Sequence, residues 1–225
     1  MAAVIFDLDG TLIESSLDIK GMKKRLINYA FNLGFRSESL SVDDTTVNLV
    51  AKVHSYLFSK GRSEKFIERV MSDLNRIMDE FEIRGVEAVR ALDQAKETLK
   101  EIKALGLKVG ILTRSCETYS KRTLEITDML QFIDAIEARR NLLEAKPNPM
   151  SLLFLCSRLE TEPSNAIFVG DHPLDMECAL KAGVPFVGFS NKPEKRKTLE
   201  ENGCRLVLKE LRDVLPIIKE KFVFR

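Results

Sequence analysis

Four short stretches of this 225-residue chain carry side chains suited to chemistry on an anionic oxygen compound. The first is Asp7-Leu8-Asp9-Gly10-Thr11. Carboxylates two residues apart on a strand point the same way, and crowded carboxylates repel unless a cation lies among them. Hard oxygen donors of this kind suit Mg²⁺, although a pair of polar turn residues would look the same. The second is Thr113-Arg114-Ser115, where a hydroxyl and backbone N–H groups can hold phosphate oxygens, or where Thr and Ser simply cap a helix. The third is Lys146 in Ala145-Lys146-Pro147-Asn148-Pro149. The prolines fix the backbone at a helix start, so an ammonium there can offset phosphoryl charge, or it is a solvated surface lysine. The fourth is Gly170-Asp171-His172-Pro173-Leu174-Asp175. Asp171 and Asp175 stand four apart around the start of a helix at Pro173, so both can point toward one site. With Asp7 this gives three or four carboxylates, too many for a metal-free cleft.

These residues need elements to bring them together. Residues 2–8 form a continuous apolar run closed by Asp, Gly and Thr, which reads as a buried parallel strand. Similar runs recur at 107–112 (LKVGIL), 166–169 (AIFV), 185–189 (PFVGF) and 205–208 (RLVL), with a weaker one at 132–135. Helical patterns separate them: 91–105, with Leu92, Ala95, Leu99, Ile102 and Leu105 on one stripe and Gly106 as C-cap, then 149–158, 174–182 and 211–221. Alternation of this kind predicts an α/β fold, a Rossmann-like doubly wound parallel sheet covered on both faces. Its connections are right-handed, and its ligand lies at the carboxyl ends of the strands.

Residues from about 15 to 85 break the rhythm. Met22, Leu26, Ile27 and Ala30, then Val47, Val50, Val53 and Leu57, then Phe66, Ile67, Val70, Met71, Leu74, Ile77 and Met78 follow helical spacing, with no strand run among them. The expected division is a core of residues 1–14 and 89–225 and an all-helical insert of residues 15–88 after the first strand. Sitting above that strand's carboxyl end, it is placed to serve as a lid, hinged near 14–17 and 84–89.

Thirty-five Lys and Arg are mixed with 34 Asp and Glu, so no basic block suggests a nucleic-acid footprint. Cys116, Cys156, Cys178 and Cys204 are widely spaced, which argues against a zinc site or disulfide framework and fits small buried hydrophobes in a reducing compartment. MAAVIFDLDG has no signal-peptide pattern, and no run approaches the roughly 20 apolar residues of a membrane span. A cytoplasmic protein without membrane contacts is expected.

The order D-x-D-G-T, T/S, K-P, G-D-x-x-x-D, each at the same end of a strand, resembles the haloacid dehalogenase superfamily of phosphatases across essentially the whole chain. DLDGTL and GDHPLDMECALKAG carry most of the resemblance, and the helical insert is similar to that superfamily's C1-type cap in the phosphoglycolate phosphatase-like branch. The resemblance implies that Asp7 attacks phosphorus and becomes a phosphoaspartate, and that Asp9 protonates the leaving oxygen and then activates water. It implies Mg²⁺ held by the Asp7 side chain, the Asp9 carbonyl and Asp171. Thr113 and Lys146 grip the phosphoryl oxygens, and Asp175 binds the metal through water or orients Lys146.

Two positions depart from the family pattern. Arg114 stands where Asn or Gly is usual and either adds a phosphate or carboxylate contact or points outward. His172 stands where small polar residues are frequent and reads as a loop residue, while His54 reads as structural. The implied partner is a small phosphomonoester, phosphoglycolate by analogy only, acted on by a monomer or homodimer. A β-phosphoglucomutase-like phosphotransferase and a non-catalytic binding protein of the same fold are the other two functions considered.

Overall fold

The computed structural model describes residues 1–35 and 40–223, so the predicted insert includes four residues outside the described ones. The opening run forms β1 (Ala3–Phe6), and the chain then turns into β2 (Ile13–Glu14). Three helices follow: α1 (Ile19–Asn32), α2 (Thr46–Ser59) and α3 (Glu64–Arg84). The chain returns through β3 (Arg90–Ala91) into α4 (Ala95–Ala104), β4 (Lys108–Leu112), α5 (Glu117–Ile126), β5 (Ala135–Glu137) and α6 (Pro149–Arg158). It ends with β6 (Ala166–Gly170), α7 (Pro173–Ala182), β7 (Phe186–Phe189), α8 (Pro193–Glu201), β8 (Val207–Leu208) and α9 (Val214–Phe222).

Six strands form one parallel sheet in the order β5-β4-β1-β6-β7-β8. β1 is central, with Ala3 paired to both Lys108 and Ala166. Its residues alternate between two apolar faces: Val4 and Phe6 pack with Leu99 and Ile102 of α4, Tyr119 of α5 and Ile218 of α9, while Ala3 and Ile5 pack with Leu152 and Leu155 of α6 and Ala179 of α7. A strand covered on both sides cannot alternate apolar with polar, which is why the sequence shows an unbroken apolar run. All four cysteines are free and buried, and no described helix is long and apolar enough to cross a membrane.

Some predicted boundaries move. The strand expected at 132–135 lies at Ala135–Glu137, after a 3-10 turn at Leu130–Phe132. The helix expected from residue 91 starts at Ala95, because Arg90 and Ala91 are taken by β3. The pairs Ile13↔Ala91 and Glu14↔Arg90 tie the two connectors of the insert into an antiparallel ribbon, closed by Leu92 N–H donating to the Leu12 carbonyl at 2.9 Å.

α1, α2 and α3 surround an apolar core of their own, including Leu26, Ala30, Val53, Leu57, Val70 and Leu74. Each begins at a side-chain cap: Asp18 accepts from Gly21 N–H, Thr45 from Asn48 N–H and Ser63 from Phe66 N–H. The 21-residue α3 is about 30 Å long, and its last turns reach the sheet. There Arg139, just past β5 and 5% exposed, uses its whole guanidinium fork. Nε donates to Asn75 at 2.7 Å, Nη1 to Glu82 at 2.6 Å and to the Arg114 carbonyl, and Nη2 to Asp79 and to Glu82 at 3.1 Å. Glu82 is itself buried and also accepts from Cys116 N–H at 2.7 Å. The geometry needs five fixed donors, which a lysine cannot supply.

Arg139→Met should therefore cost about 3–5 kcal/mol, because Glu82 is left buried and unpaired. In urea unfolding, the Glu82→Leu/Arg139→Met double variant should recover most of that loss. A single-variant loss below about 1 kcal/mol would show that the network does not hold α3 to the sheet.

Candidate active site

The carboxyl ends of β1, β4 and β6 converge at the point where strand order reverses, as a doubly wound sheet requires of its ligand crevice. Asp7 continues β1, its N–H donating to the Val169 carbonyl at 2.8 Å, so its side chain is set by the sheet and is buried. The chain then turns sharply, with Leu12 and Ile13 N–H both donating to the Leu8 carbonyl. Gly10 makes this turn at φ +91°, and a Cβ there would lie 2.2 Å from Asp171 Oδ2. Only glycine satisfies both conditions.

β6 delivers Asp171 through Gly170, where a Cβ would meet Asp175 Oδ2 at 2.6 Å. His172 caps α7, its Nδ1 accepting from Leu174 N–H at 3.1 Å, and Pro173 opens the helix. That makes His172 the cap of α7. Asp175 accepts from His172 N–H at 3.1 Å with one oxygen and pairs with Lys146 Nζ at 2.7 Å with the other. Lys146, 3% exposed, also pairs with Asp7 and lies 5.5 Å from the centre of the Phe168 ring.

Burial alone would push the Lys146 ammonium down, but Asp175 and Asp7 outweigh it and hold the group above its ordinary range. Asp7 is pushed well above the ordinary carboxylate range by burial, against the pull of Lys146 and with help from Asp175 and Asp171. Asp171 is raised by burial and by Asp175, although Lys195 pairs with it. Oxygens of Asp7, Asp171 and Asp175 lie within 4.8 Å of one another. Three buried carboxylates around one buried ammonium leave negative charge uncompensated, and every donor is a hard oxygen. That donor set fits a divalent cation of the Mg²⁺ class.

Asp9 is turned to the other side of the turn. Its carboxylate accepts from Ser115 Oγ at 2.9 Å and from Tyr119 Oη at 2.7 Å. Thr113 is buried beside it, its N–H donating to the Glu137 carbonyl at 3.0 Å and its Oγ1 accepting from Ser115 N–H at 3.1 Å. Asp7, Asp9, Thr113, Arg114, Lys146, Asp171 and Asp175 all line one cavity of about 430 Å³, roofed by Leu17, Ile19, Met22 and Met78 from the insert. The outward alternative for Arg114 is thereby corrected, since the cavity wall includes it. A larger cavity of about 690 Å³, beside His54 and Arg140, lies away from the carboxylates.

Ser115 stands in one of the four motifs, but its contact with Asp9, like Tyr119, Glu82, Arg139 and Lys195, was not legible. Tyr119 lies on α5, whose buried face is partly polar (Tyr119, Ser120, Thr123), so it shows no apolar stripe. The spacing of Ser115 and Tyr119, one helical turn apart, is the only local signal.

Residues 4–189 match the sequence profile of the haloacid dehalogenase-like hydrolases. The chain is 27% identical over 215 residues to the pyrophosphatase PpaX of Bacillus mycoides, covering 96% of this chain and 95% of that one. It is 29% identical over 183 residues to a phosphoglycolate phosphatase of Aquifex aeolicus, covering 81% and 82%. Among solved structures, a haloacid dehalogenase family hydrolase from Deinococcus radiodurans, with bound phosphate and sodium, superposes with a TM-score of 0.60 at 20% identity, covering 98% and 96%.

The close approach at Gly10 gives a test. Gly10→Ala should destabilise by about 1–3 kcal/mol, because it adds a clash with Asp171 to an unfavourable backbone angle. Gly34→Ala, at φ +87° with nothing within 4 Å of the added Cβ, carries the backbone cost alone. Equal losses for the two in urea unfolding would show that the contact with Asp171 places no limit on residue 10.

Proposed function

This chain belongs to the haloacid dehalogenase-like hydrolases, and from that premise we propose that it hydrolyses a small phosphomonoester through a phosphoaspartate on Asp7, with Mg²⁺ as cofactor. The observation that carries this reading is the buried Asp7 carboxylate, paired with Lys146 and grouped with Asp171 and Asp175 at the floor of a cavity. An oxygen of Asp7 attacks phosphorus in line, and the bond from phosphorus to the leaving oxygen breaks. Asp9 gives its proton to that oxygen, so an alcohol departs. Asp9 then takes a proton from water, whose oxygen attacks phosphorus and breaks its bond to Asp7, releasing inorganic phosphate.

Ser115 and Tyr119 suit this change of role. A hydroxyl both donates and accepts, so the same two contacts hold Asp9 as a carboxylate and as an acid. Thr113 and Lys146 hold the phosphoryl oxygens, and Asp175 keeps Lys146 aimed at them. Asp7, the Asp9 carbonyl and Asp171 would hold the cation, which when bound neutralises charge on the phosphoryl group.

The helices from Ile19 to Arg84 act in this proposal as a lid. Their apolar residues over the cavity keep out water other than the attacking molecule and strengthen every charge interaction beneath. The ribbon of Ile13–Glu14 and Arg90–Ala91 serves as the hinge.

Asp7→Asn should release no phosphate from any phosphomonoester while unfolding cooperatively, since an amide forms no phosphoaspartate; measurable turnover would exclude the covalent route. Asp9→Asn should slow phosphate release by roughly 10²–10⁴-fold. Chelation should abolish activity and added Mg²⁺ restore it, as read by phosphate release. Full activity in excess chelator would remove the metal from the mechanism, and isomer interconversion without phosphate release would favour a mutase.

A further inference from the structure

Every cation that lines the site cavity has a protein partner, with one exception. Lys146 is held by Asp7 and Asp175, Lys195 by Asp171, and Lys23 donates to the Val42 carbonyl at 3.0 Å. Arg114 pairs with no carboxylate or carbonyl among the described residues, and its Nε is buried without a hydrogen bond. Neighbouring acids are not free to serve it. Asp175 and Asp7 are paired with Lys146, and Glu82, on the same cavity wall, is committed to Arg139 and to Cys116 N–H. Burial, and the charge of Arg139 nearby, hold the Arg114 guanidinium below its ordinary range.

A half-buried guanidinium whose Nε has no acceptor leaves its hydrogen-bonding capacity unspent, and the fold supplies nothing to take it up. Its place is fixed, because the Arg114 carbonyl is gripped by Arg139 and the preceding residue is Thr113 at the end of β4. We propose that Arg114 binds a second anionic group of the substrate, a carboxylate or a second phosphate close to the phosphoryl group that is transferred. A planar fork matches either group with two parallel hydrogen bonds. The chain is thereby a hydrolase of small two-anion phosphate compounds, and phosphomonoesters with neutral organic parts are poor substrates. This inference rests on the phosphatase reading above and names its substrate class.

The test compares kcat/KM, with Mg²⁺, on phenyl phosphate, 2-phosphoglycolate and pyrophosphate. Wild type should prefer one of the two-anion compounds, and which one identifies the second group as carboxylate or phosphate. Arg114→Gln should lower the ratio of that substrate to phenyl phosphate by about 10–100-fold, chiefly through KM, and Arg114→Lys should keep part of the preference. An unchanged ratio, or equal losses on all three, would overturn the proposal, since Arg114 would then grip the transferred phosphoryl group or serve the fold alone. A wild type that releases no phosphate from any of them removes the phosphatase reading instead. Calorimetric titration of wild type and Arg114→Gln with 2-phosphoglycolate and pyrophosphate then decides the anion site separately. Binding that depends on Arg114 keeps the site, and binding that is absent or independent of Arg114 removes it.

Discussion

Lys146 lies between Asp7 and Asp175, and most of the site geometry follows from the electrostatics of that buried group. Three carboxylates are carried to one place by β1, by β6, its neighbour in the sheet, and by the first turn of α7, and an apolar interior would reject such charge if it were uncompensated. One ammonium, itself buried, makes the grouping tolerable without fully balancing it. The residual negative charge is what a divalent cation would find there, and the half-buried Lys195 reaching in to Asp171 answers to the same field. Gly10 and Gly170 are required by the same crowding, since each leaves no room for a Cβ beside an aspartate.

A second buried charge organises the other half of the molecule. Arg139 ties α3 to the β4–α5 loop and to the end of β5, and in doing so it occupies Asn75, Asp79 and Glu82 together. A buried network of this kind adds little net stability while intact, but losing one member leaves a buried charge unpaired and costs much more. It also takes Glu82 away from Arg114, the residue after Thr113, which is left without a hydrogen-bonded acid among the described residues. Of the acids facing it, Asp7 and Asp175 are held by Lys146 and Glu82 by Arg139.

The two halves thus divide the work by their physics. Residues on strand ends are held by the hydrogen-bond ladders of the sheet, where displacement is costly, and these are the residues proposed for the chemical step. The roof of the cavity comes from helices with a separate apolar core, joined to the sheet by a two-stranded ribbon and one ion cluster. An arrangement of that kind can vary in its lining without disturbing the floor.

The doubly wound sheet, the helical insert and the gathering of Asp7, Asp9, Thr113, Lys146, Asp171 and Asp175 were determined by local sequence. Apolar runs with no alternation require strands covered on both faces, and Gly-Asp turns at their ends put functional groups at one edge. Short elements were less legible: β2, β3 and α8 are too brief or too polar for periodicity to mark them, and α5 hides behind buried hydroxyls. Tertiary structure alone decided the partners. Asp9 meets Ser115 and Tyr119 from more than 100 positions away, and Arg139 meets Glu82 from 57. No local pattern encodes such pairs, because hydrogen-bond geometry depends on how separate elements dock. The same is true of Arg114: its identity is written in the sequence, but its lack of a hydrogen-bonded acid exists only once Lys146 and Arg139 have taken the acids around it.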